Sequence, residues 1–204
     1  AIQIIGGDLS ATTKMPCKSF NLPAWECKTG SKLAKIPGTV CHGCYAMKGN
    51  YTRFPSVKKA QYKRLDQLFN PAWVDAMVSL IEKENNLYFR WHDAGDIQNI
   101  NHLKNIVKVA NKTPNITHWI PTREHKIVND FVNQGNTIPK NLIIRISATN
   151  IDGKPPKNAS HTSTVHSSSK PIGFECVAPK QDGACLDCRA CWNPSIKNIS
   201  YKQH

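Results

Sequence analysis

Four cysteines in the last thirty residues have the spacing of metal ligands. They are Cys176, Cys185, Cys188 and Cys191, and the last three form a C-x-x-C-x-x-C run within CLDCRACW. Such a run brings its sulfurs toward one point instead of tying distant segments together, which argues against disulfides. Three cysteines at successive intervals of three favour a [4Fe-4S] cluster, whereas a four-thiolate zinc site is more often built from two separated C-x-x-C pairs. Both metals remain open from the spacing alone.

A second group of cysteines lies in the first fifty residues. Cys27, Cys41 and Cys44 fall in a long segment that is rich in Gly, Pro and Lys and shows no regular apolar period. Cys17 is a candidate fourth member, although a lone cysteine is more often a small buried apolar residue. His42 is expected to face solvent. A loop of this length is usually functional or held by something other than a core, and these thiols offer that support.

Polar side chains lie at the carboxyl ends of three predicted strands. The segments are HDAGD (92–96), PTREH (121–125) and RISATN (145–150). Ligand sites of parallel α/β proteins gather at the carboxyl ends of the strands. We therefore expect a site for a small-molecule or anionic ligand there. The candidate catalytic residues are His92, Asp96, Arg123 and Arg145, and Ser147 is a candidate cofactor-binding residue. Taken singly, each could instead cap a helix or a turn.

The elements that would position these groups alternate between two patterns. Strands are predicted over residues 87–92, 116–120 and 142–149, and apolar residues at three-four spacing predict helices over 57–68, 73–81, 103–110 and 127–132. Strand-helix alternation implies parallel pairing with right-handed crossovers. We predict an α/β protein with a partial, barrel-like parallel sheet, flanking helices and cysteine-rich N- and C-terminal loops.

The ends of the chain give weaker patterns. Residues 2–5 and the segment GFECVAP (173–179) are each predicted to contain a short strand, and the Ser-, Pro- and Lys-rich residues 152–171 a surface loop. A chain of 204 residues can bury one full core. We predict one domain over 1–204, with a cysteine-containing loop region (1–50), helices and β/α units (51–150), and a polar loop with a cysteine-rich end (151–204).

Charge favours anionic partners. Lys and Arg outnumber Asp and Glu by 27 to 14, for a formal charge of +13, so nucleic acid is a candidate partner. One stretch interleaves basic with aromatic residues, as nucleic-acid surfaces do: Lys48, Tyr51, Arg53, Phe54, Lys58, Lys59, Tyr62, Lys63 and Arg64. No window approaches the ~18 apolar residues of a membrane span, and the opening residues lack the pattern of a signal peptide. We expect a cytoplasmic protein that does not bind membranes.

Five segments of the chain resemble the phage gene product 88 family, a group of bacteriophage proteins whose role is largely undefined. In chain order they are KMPCKSFNLPAWECKTGSKLAKIPGTVCHGCYAMKGNY, FRWHDAGD, WIPTRE, RISAT and CLDCRACW. The resemblance spans nearly the whole chain and is most specific in the two cysteine segments and HDAGD. It implies a pattern that includes all the cysteines named above except Cys17, and, for a phage-encoded protein, the host cytoplasm.

The layout is also similar, more distantly, to radical S-adenosylmethionine enzymes. In that class three thiolates bind a cluster and leave one iron open for the methionyl group of the cofactor, and a Gly-acidic motif closes the next strand. The likeness implies S-adenosylmethionine as a second cofactor and Gly95, in the Gly95-Asp96 pair, as a cofactor-binding residue. Thirteen residues separate Cys27 from Cys41, which differs from the usual C-x3-C-x2-C of that class.

Two cluster arrangements and two functions follow. Either each cysteine group holds a cluster, or the termini meet and one cluster uses CLDCRAC with one N-terminal cysteine, for which Cys44 is the best candidate. The leading functional hypothesis is a redox or small-molecule-binding iron-sulfur protein whose cluster faces the strand-end groups. The rival is a zinc-stapled, basic nucleic-acid-binding module without catalysis.

Overall fold

A seven-stranded parallel sheet organises the chain in the computed structural model, which describes residues 1–203. Its strands are β1 (Ser19–Phe20), β2 (Tyr88–Trp91), β3 (Thr117–Thr122), β4 (Leu142–Ile151), β5 (Thr162–His166), β6 (Phe174–Glu175) and β7 (Asn198–Lys202). The order across the sheet is β1-β2-β3-β4-β5-β7-β6, and every neighbouring pair is parallel. The sheet does not close on itself, so the predicted α/β class and partial parallel sheet are confirmed.

The predicted helices lie between the strands. They are α3 (Pro55–Gln67), α4 (Trp73–Lys83), α5 (Ile100–Lys112) and α6 (His125–Asn133), preceded by the one-turn helices α1 (Gly30–Leu33) and α2 (Asn50–Arg53). Helix α3 begins with Pro55, where a missing N–H costs no hydrogen bond. Helix α5 begins after Asn99, whose side chain accepts from the His102 N–H at 2.9 Å.

The two faces of the sheet are covered by different parts of the chain. Phe89 and Trp91 of β2 point into the main core, where they pack with Trp73 and other apolar residues of the helices. Side chains alternate along a strand, so Tyr88 and Arg90 lie on the opposite face. That face is covered by the N- and C-terminal segments, which contribute a second core cluster with Trp119 of β3 and Trp192 at its centre. We call it the terminal-segment face.

Two predictions about the chain ends were wrong. Residues 2–5 form a turn instead of a strand, and Ile5 is nevertheless fully buried in the core. Residues 152–171 contain β5, a buried strand with the polar sequence TSTVH. Its hydroxyls are paired inside the sheet: Ser163 donates to Ser147 of β4 at 3.0 Å and Thr164 donates to Ser200 of β7 at 3.2 Å. A polar strand can be buried because each hydroxyl finds a partner on a neighbouring strand.

Buried neutral histidines should make stability depend on pH. His118 accepts from the Trp91 indole N–H at 3.3 Å, and its other ring nitrogen lies 2.8 Å from the Thr113 hydroxyl, which donates to the Val109 carbonyl. These two contacts require only one N–H on the ring, which the neutral form supplies. Burial lowers the pKa of His118 to about 3. A protonated ring would place an N–H against the indole N–H.

We therefore expect the free energy of unfolding to fall as pH decreases below the unfolded-state pKa of about 6.5. The stabilisation is present in full above that pH and is lost progressively as the pH approaches 3. The slope for this residue should rise from near zero at pH 7.5 toward a limit of about 1.4 kcal/mol per pH unit below about pH 5.5, measurable by urea denaturation between pH 7.5 and 4.5. A His118→Leu variant should be less stable overall but have a shallower slope, and an unchanged slope would contradict the assignment.

Candidate functional site

The four C-terminal cysteines line one cavity, which we call the quartet cavity. Its remaining walls are apolar or backbone: Phe174, Val177, Ala178, Ala190, Trp192 and Ile199. Backbone hydrogen bonds fix the positions of three of these cysteines. The Cys176 N–H donates to the Ser200 carbonyl of β7 at 2.9 Å, the Cys185 N–H to the Lys14 carbonyl at 3.0 Å, and the Cys188 N–H to the Cys185 carbonyl at 2.9 Å. We call these cysteines the quartet.

Arg145 of β4 holds the end of residues 176–196, which we call the quartet segment. The side chain is fully buried, and its guanidinium donates to the backbone carbonyls of Ala190, Cys191, Asn193 and Ile196 at 2.9 to 3.2 Å. The rigid fork of five N–H groups suits this set of acceptors. The residue therefore fixes the backbone on which Cys191 is carried.

Guanidinium groups surround the quartet. Arg90 lies with its guanidinium 4.7 Å from the Trp119 ring centroid and donates to the Met15 sulfur at 3.6 Å, while its Nε has no partner among the described residues. Burial raises the pKa of the Cys191 thiol to about 12, against the lowering effects of the Tyr201 hydroxyl, Arg145 and Arg90. Burial also raises the pKa of Cys185, and Arg90 and Arg189 oppose it. Metal binding would release the protons of these thiols, and the guanidiniums favour the resulting thiolates.

The three N-terminal cysteines form a separate group, the N-terminal triad. The Cys44 N–H donates to the Cys41 carbonyl at 3.1 Å. A Cβ added to Gly30 would lie 3.6 Å from the Cys41 sulfur and 3.7 Å from the Cys27 sulfur, so the two sulfurs face the same small space. Burial raises the pKa of Cys27, and Asp96 and the other two triad thiols add to the effect. Gly30 thus leaves room beside the triad that any other residue would fill.

A residue that follows β3 holds the loop of the N-terminal triad in place. The Glu124 carboxylate, just after β3, accepts from the Thr29 N–H at 2.7 Å and from its hydroxyl at 2.8 Å, which ties the loop between Cys27 and Gly30 to the sheet. Burial raises the pKa of Cys41, and the Arg123 guanidinium opposes it. Arg123 therefore lies where it would favour the thiolate form of Cys41.

Asp96 lies beside the triad. It is buried and accepts from the Ile97 N–H at 2.7 Å, the Thr122 hydroxyl at 2.5 Å and the Arg123 N–H at 2.9 Å. Burial raises the pKa of this carboxyl to about 6, although the three hydrogen bonds lower it. The structure thus brings Asp96 and Arg123, two of the predicted strand-end residues, together with the N-terminal triad.

His92 and Gly95 follow β2 but are enclosed. His92 has a φ of 55°, is 3% exposed, and neither ring nitrogen has a partner in the described part of the chain. Gly95 has a φ of 84°, and a Cβ there would lie 2.6 Å from the Leu22 Cβ. The close approach of Leu22 and the positive φ explain why glycine occupies this position.

The predicted positions of Arg145 and Ser147 need correction. Strand β4 runs from Leu142 to Ile151, two residues beyond the predicted end, so both residues lie in the middle of the strand instead of at its end. Arg145 points to the quartet segment, and the Ser147 hydroxyl accepts from Ser163 inside the sheet. Neither contacts Asp96 through a hydrogen bond among those of residues 1–203. The sequence RISATN continues the strand because its β-branched Ile146 and Thr149 suit a pleated surface.

The two cysteine groups are distinct in space. Cys41 and Cys44 lie close enough to Cys27 to raise its pKa, and Cys176 and Cys188 raise the pKa of Cys185 in the same way. The structure therefore places Cys44 with the triad. Within residues 1–203, no three His, Cys, Asp or Glu side chains are close enough together to hold a single metal ion, and the quartet lines a small cavity of about 20 Å³.

Cys17 lies near the quartet without lining its cavity. The thiol is 7% exposed, packs with Trp119 and Trp192, and burial raises its pKa to about 12. His42 is exposed and its ring contacts the Ala34 carbonyl at 3.1 Å.

Several residues around the sites were not found from the sequence. Arg90 could have been found, because the alternation of YFRW places it on the face opposite Phe89 and Trp91. Tyr201, whose hydroxyl lies 3.3 Å from the Cys191 sulfur, is on β7, which the sequence did not predict. Glu124 gave no signal, because its partner Thr29 lies 95 residues away in the chain. The role of Gly30 depends on how the chain folds around Cys27 and Cys41.

The basic and aromatic stretch is only partly a surface. Arg64 is buried and donates to the Asp8 carbonyl at 2.6 Å, and the Tyr51 hydroxyl donates to the buried Asp93 carboxylate at 2.7 Å. Lys58 lies over the Trp25 ring at 4.9 Å. A nucleic-acid surface here would therefore use a smaller set of residues than the sequence suggested.

Comparison with known proteins gives one match. A family model described as Gene product 88 matches residues 5–194. A search of the curated proteins and a search of the solved structures each found no match. No helix in the described part of the chain is both long and apolar enough to cross a membrane.

Proposed function

The chain belongs to the Gene product 88 family, and from that premise we propose that it is an iron-sulfur protein whose quartet binds a [4Fe-4S] cluster. The observation that carries the proposal is that four cysteine side chains line one cavity whose other walls are apolar. Soft thiolates without competing oxygen ligands select iron-sulfur clusters or zinc. In a cubane each thiolate binds a different iron, so its ligands surround a volume, whereas zinc ligands converge on one atom.

The electrostatic surroundings support a cluster with negative charge. A [4Fe-4S]2+ core on four thiolates carries a net charge of about −2. Arg90, Arg145 and Arg189 act on the quartet thiols, as their effects on the pKa values of Cys185 and Cys191 indicate. Positive groups near a cluster favour its reduced form, because reduction adds a negative charge. We therefore propose a redox role for the quartet.

The N-terminal triad fits a second cluster with one iron free of cysteine. Three thiols, the space beside Gly30 and the guanidinium of Arg123 are the features that fit. Such an iron would accept an external ligand, and S-adenosylmethionine is the candidate suggested by the radical-enzyme resemblance. Asp96 and Arg123 would then bind and orient a small molecule at the strand ends, with Asp96 able to hold a proton near neutral pH because its pKa is raised to about 6.

The space beside Gly30 provides a test of the triad cluster. A methyl group at this position would lie against both the Cys27 and Cys41 sulfurs. We expect Gly30→Ala to lower the iron content by up to about four atoms per chain, because the new Cβ would lie 3.1 Å from the Cys27 Cβ and would displace this cysteine, whereas the helical backbone position itself accepts alanine. Gly43→Ala is the control, since a Cβ there has nothing within 4 Å. Equal iron in both variants would argue against a cluster on the triad.

Metal analysis of anaerobically purified protein tests the function itself. Iron, acid-labile sulfide and zinc would be measured per chain, together with the absorption and spin-resonance spectra. About eight irons with matching sulfide would indicate two clusters, and about four would indicate one. Stoichiometric zinc without sulfide, in protein from iron-replete anaerobic cells, would overturn the proposal. Steeply salt-dependent binding of DNA or RNA would add a nucleic-acid partner without deciding the metal.

A further inference from the structure

An open cleft adjoins the quartet at the end of the sheet where β2 and β3 begin. Its volume is about 480 Å³, and its walls are Tyr88, Thr117, Phe174, Cys188, Arg189, Ala190, Trp192, Asn193, Pro194 and Ile196. We call it the Cys188 pocket. Thr117 begins β3 and Tyr88 begins β2, so this pocket lies at the opposite end of the strands from Asp96 and Arg123. None of the functions above uses it.

The Cys188 pocket and the quartet cavity share walls. Phe174, Cys188, Ala190 and Trp192 line both. A molecule in the pocket would therefore lie directly beside one cysteine of the quartet. The volume falls in the range of small-molecule sites, roughly 300–1,000 Å³, which is more than a simple inorganic anion needs.

The walls suit a flat, apolar ligand. Three aromatic side chains line the pocket, and the Tyr88 and Trp192 rings pack edge to face with centroids 5.5 Å apart. This arrangement fixes both rings, because each is held by the other and the Trp192 indole N–H donates to the Phe89 carbonyl at 2.9 Å. Rigid aromatic walls favour planar ligands through stacking and edge contacts.

One wall is cationic. The Arg189 guanidinium lies 5.3 Å from the Tyr88 ring centroid, and its Nη1 donates to the carbonyls of Leu186 and Cys188. Among the described residues, no acceptor is bonded to its Nε or Nη2. A guanidinium that is held in place and still has unbonded N–H groups is suited to binding a carboxylate or another planar anion.

We propose that the Cys188 pocket binds a small planar aromatic molecule that carries a carboxylate or similar anionic group. The ring packs against Tyr88, Phe174 and Trp192, and the anion pairs with Arg189. The location of this ligand beside a cluster depends on the proposed function, whereas its binding to the pocket does not. An aromatic anion at this position would change the surroundings of the Cys188 ligand whenever a cluster is present.

Calorimetric titration with 2-naphthoate tests the proposal on the purified full-length chain. The expected Kd is on the order of 0.1–1 mM for a ligand of this size, and the uncharged analogue 2-naphthamide should bind at least about tenfold more weakly. Arg189→Met should weaken 2-naphthoate binding by a similar factor. Lys126→Met is the matched control, because it removes the same charge from the exposed surface of α6 and should have no effect.

Thr117→Phe provides a variant that leaves the cysteine segment untouched. The larger side chain should fill the pocket from β3 and abolish binding, with iron and sulfide per chain unchanged. The proposal is overturned if 2-naphthoate shows no saturable binding up to about 10 mM, if Arg189→Met and Lys126→Met weaken binding equally, or if Thr117→Phe binds normally.

The metal content separates the two proposals. Binding with the expected variant effects in protein without iron would support the pocket and contradict the cluster. Iron and sulfide without binding would do the reverse. In cluster-containing protein, saturation with 2-naphthoate should also shift the spin-resonance spectrum of the reduced cluster, and this shift should be absent in Thr117→Phe.

Discussion

Replacing Arg145 with methionine is expected to lower the thermal midpoint by roughly 10 °C and to prevent the quartet from retaining iron. The substitution leaves four carbonyls of the segment 190–196 without their donor. Unsatisfied buried polar groups cost about 1–3 kcal/mol each, and partial relaxation of this segment should bring the total to about 3 kcal/mol or more. Methionine keeps the length of the side chain, so the loss reflects hydrogen bonds and charge more than packing.

Two other substitutions make the Arg145 result specific. Arg145→Lys should recover only part of the stability, because one ammonium cannot reproduce the planar fork that reaches carbonyls on both sides. Arg53→Met, at an exposed position at the end of helix α2, should change the free energy of unfolding by less than about 0.5 kcal/mol. Differential scanning calorimetry and iron analysis would be run on all three. A wild-type midpoint in Arg145→Met would contradict the anchoring role, and normal iron with a lowered midpoint would confine that role to the fold.

Replacing Cys188 with serine is expected to remove about four irons per chain. A serine hydroxyl stays protonated at neutral pH and is a poor substitute for a thiolate, so the quartet would lose one of its ligands. Iron and sulfide should fall together, and the cluster absorption should disappear if the quartet holds the only cluster. The measurement is metal and sulfide per chain after anaerobic purification, with circular dichroism to verify that the variant is folded.

Cys17 and Cys44 supply the comparisons for Cys188. Cys17→Ser should keep its iron, because this thiol packs with Trp119 and Trp192 outside the quartet cavity. Equal iron loss in Cys17→Ser and Cys188→Ser would refute the ligand assignment. Cys44→Ser should affect only iron bound by the N-terminal triad. If Cys44→Ser and Cys188→Ser each removed all of the iron from a protein with about four irons, one shared cluster would explain the result better than two.

The sheet was predictable where burial alone determined the pattern. The runs around β2, β3 and β4 are rich in apolar and β-branched residues, and helices α4 to α6 bury apolar residues at three-four spacing. Helix α3 was predicted from the same spacing, but the residues buried within it are Gln61 and Arg64. Strands β5 and β7 were missed because their polar residues are satisfied by one another: Asn198 on β7 accepts from the Thr162 hydroxyl at 2.7 Å and donates to that of Thr164 at 3.0 Å. Such partners come from separate segments, so no local pattern reveals them.

The candidate sites were also predictable only where local sequence patterns determined them. The cysteine groups were visible in the sequence because ligand type and spacing are local properties of the chain. The strand-end prediction combined two different regions: Asp96 and Arg123 lie with the N-terminal triad, whereas Arg145 anchors the quartet segment on the terminal-segment face. The residues appeared equivalent because each was expected near the end of a strand, whereas Arg145 lies in the middle of β4 and faces the segment 190–196.

By itself, the sequence determined the α/β class, the parallel core strands and the two sets of thiols, since these depend on residue type and short-range spacing. The tertiary structure decided which groups meet. It placed Cys44 with Cys27 and Cys41, turned Arg145 toward the quartet segment, and formed the Cys188 pocket between β2, β3 and the chain end. These results depend on contacts between residues far apart in the chain, whose positions are fixed by the packing and hydrogen bonding of the whole sheet.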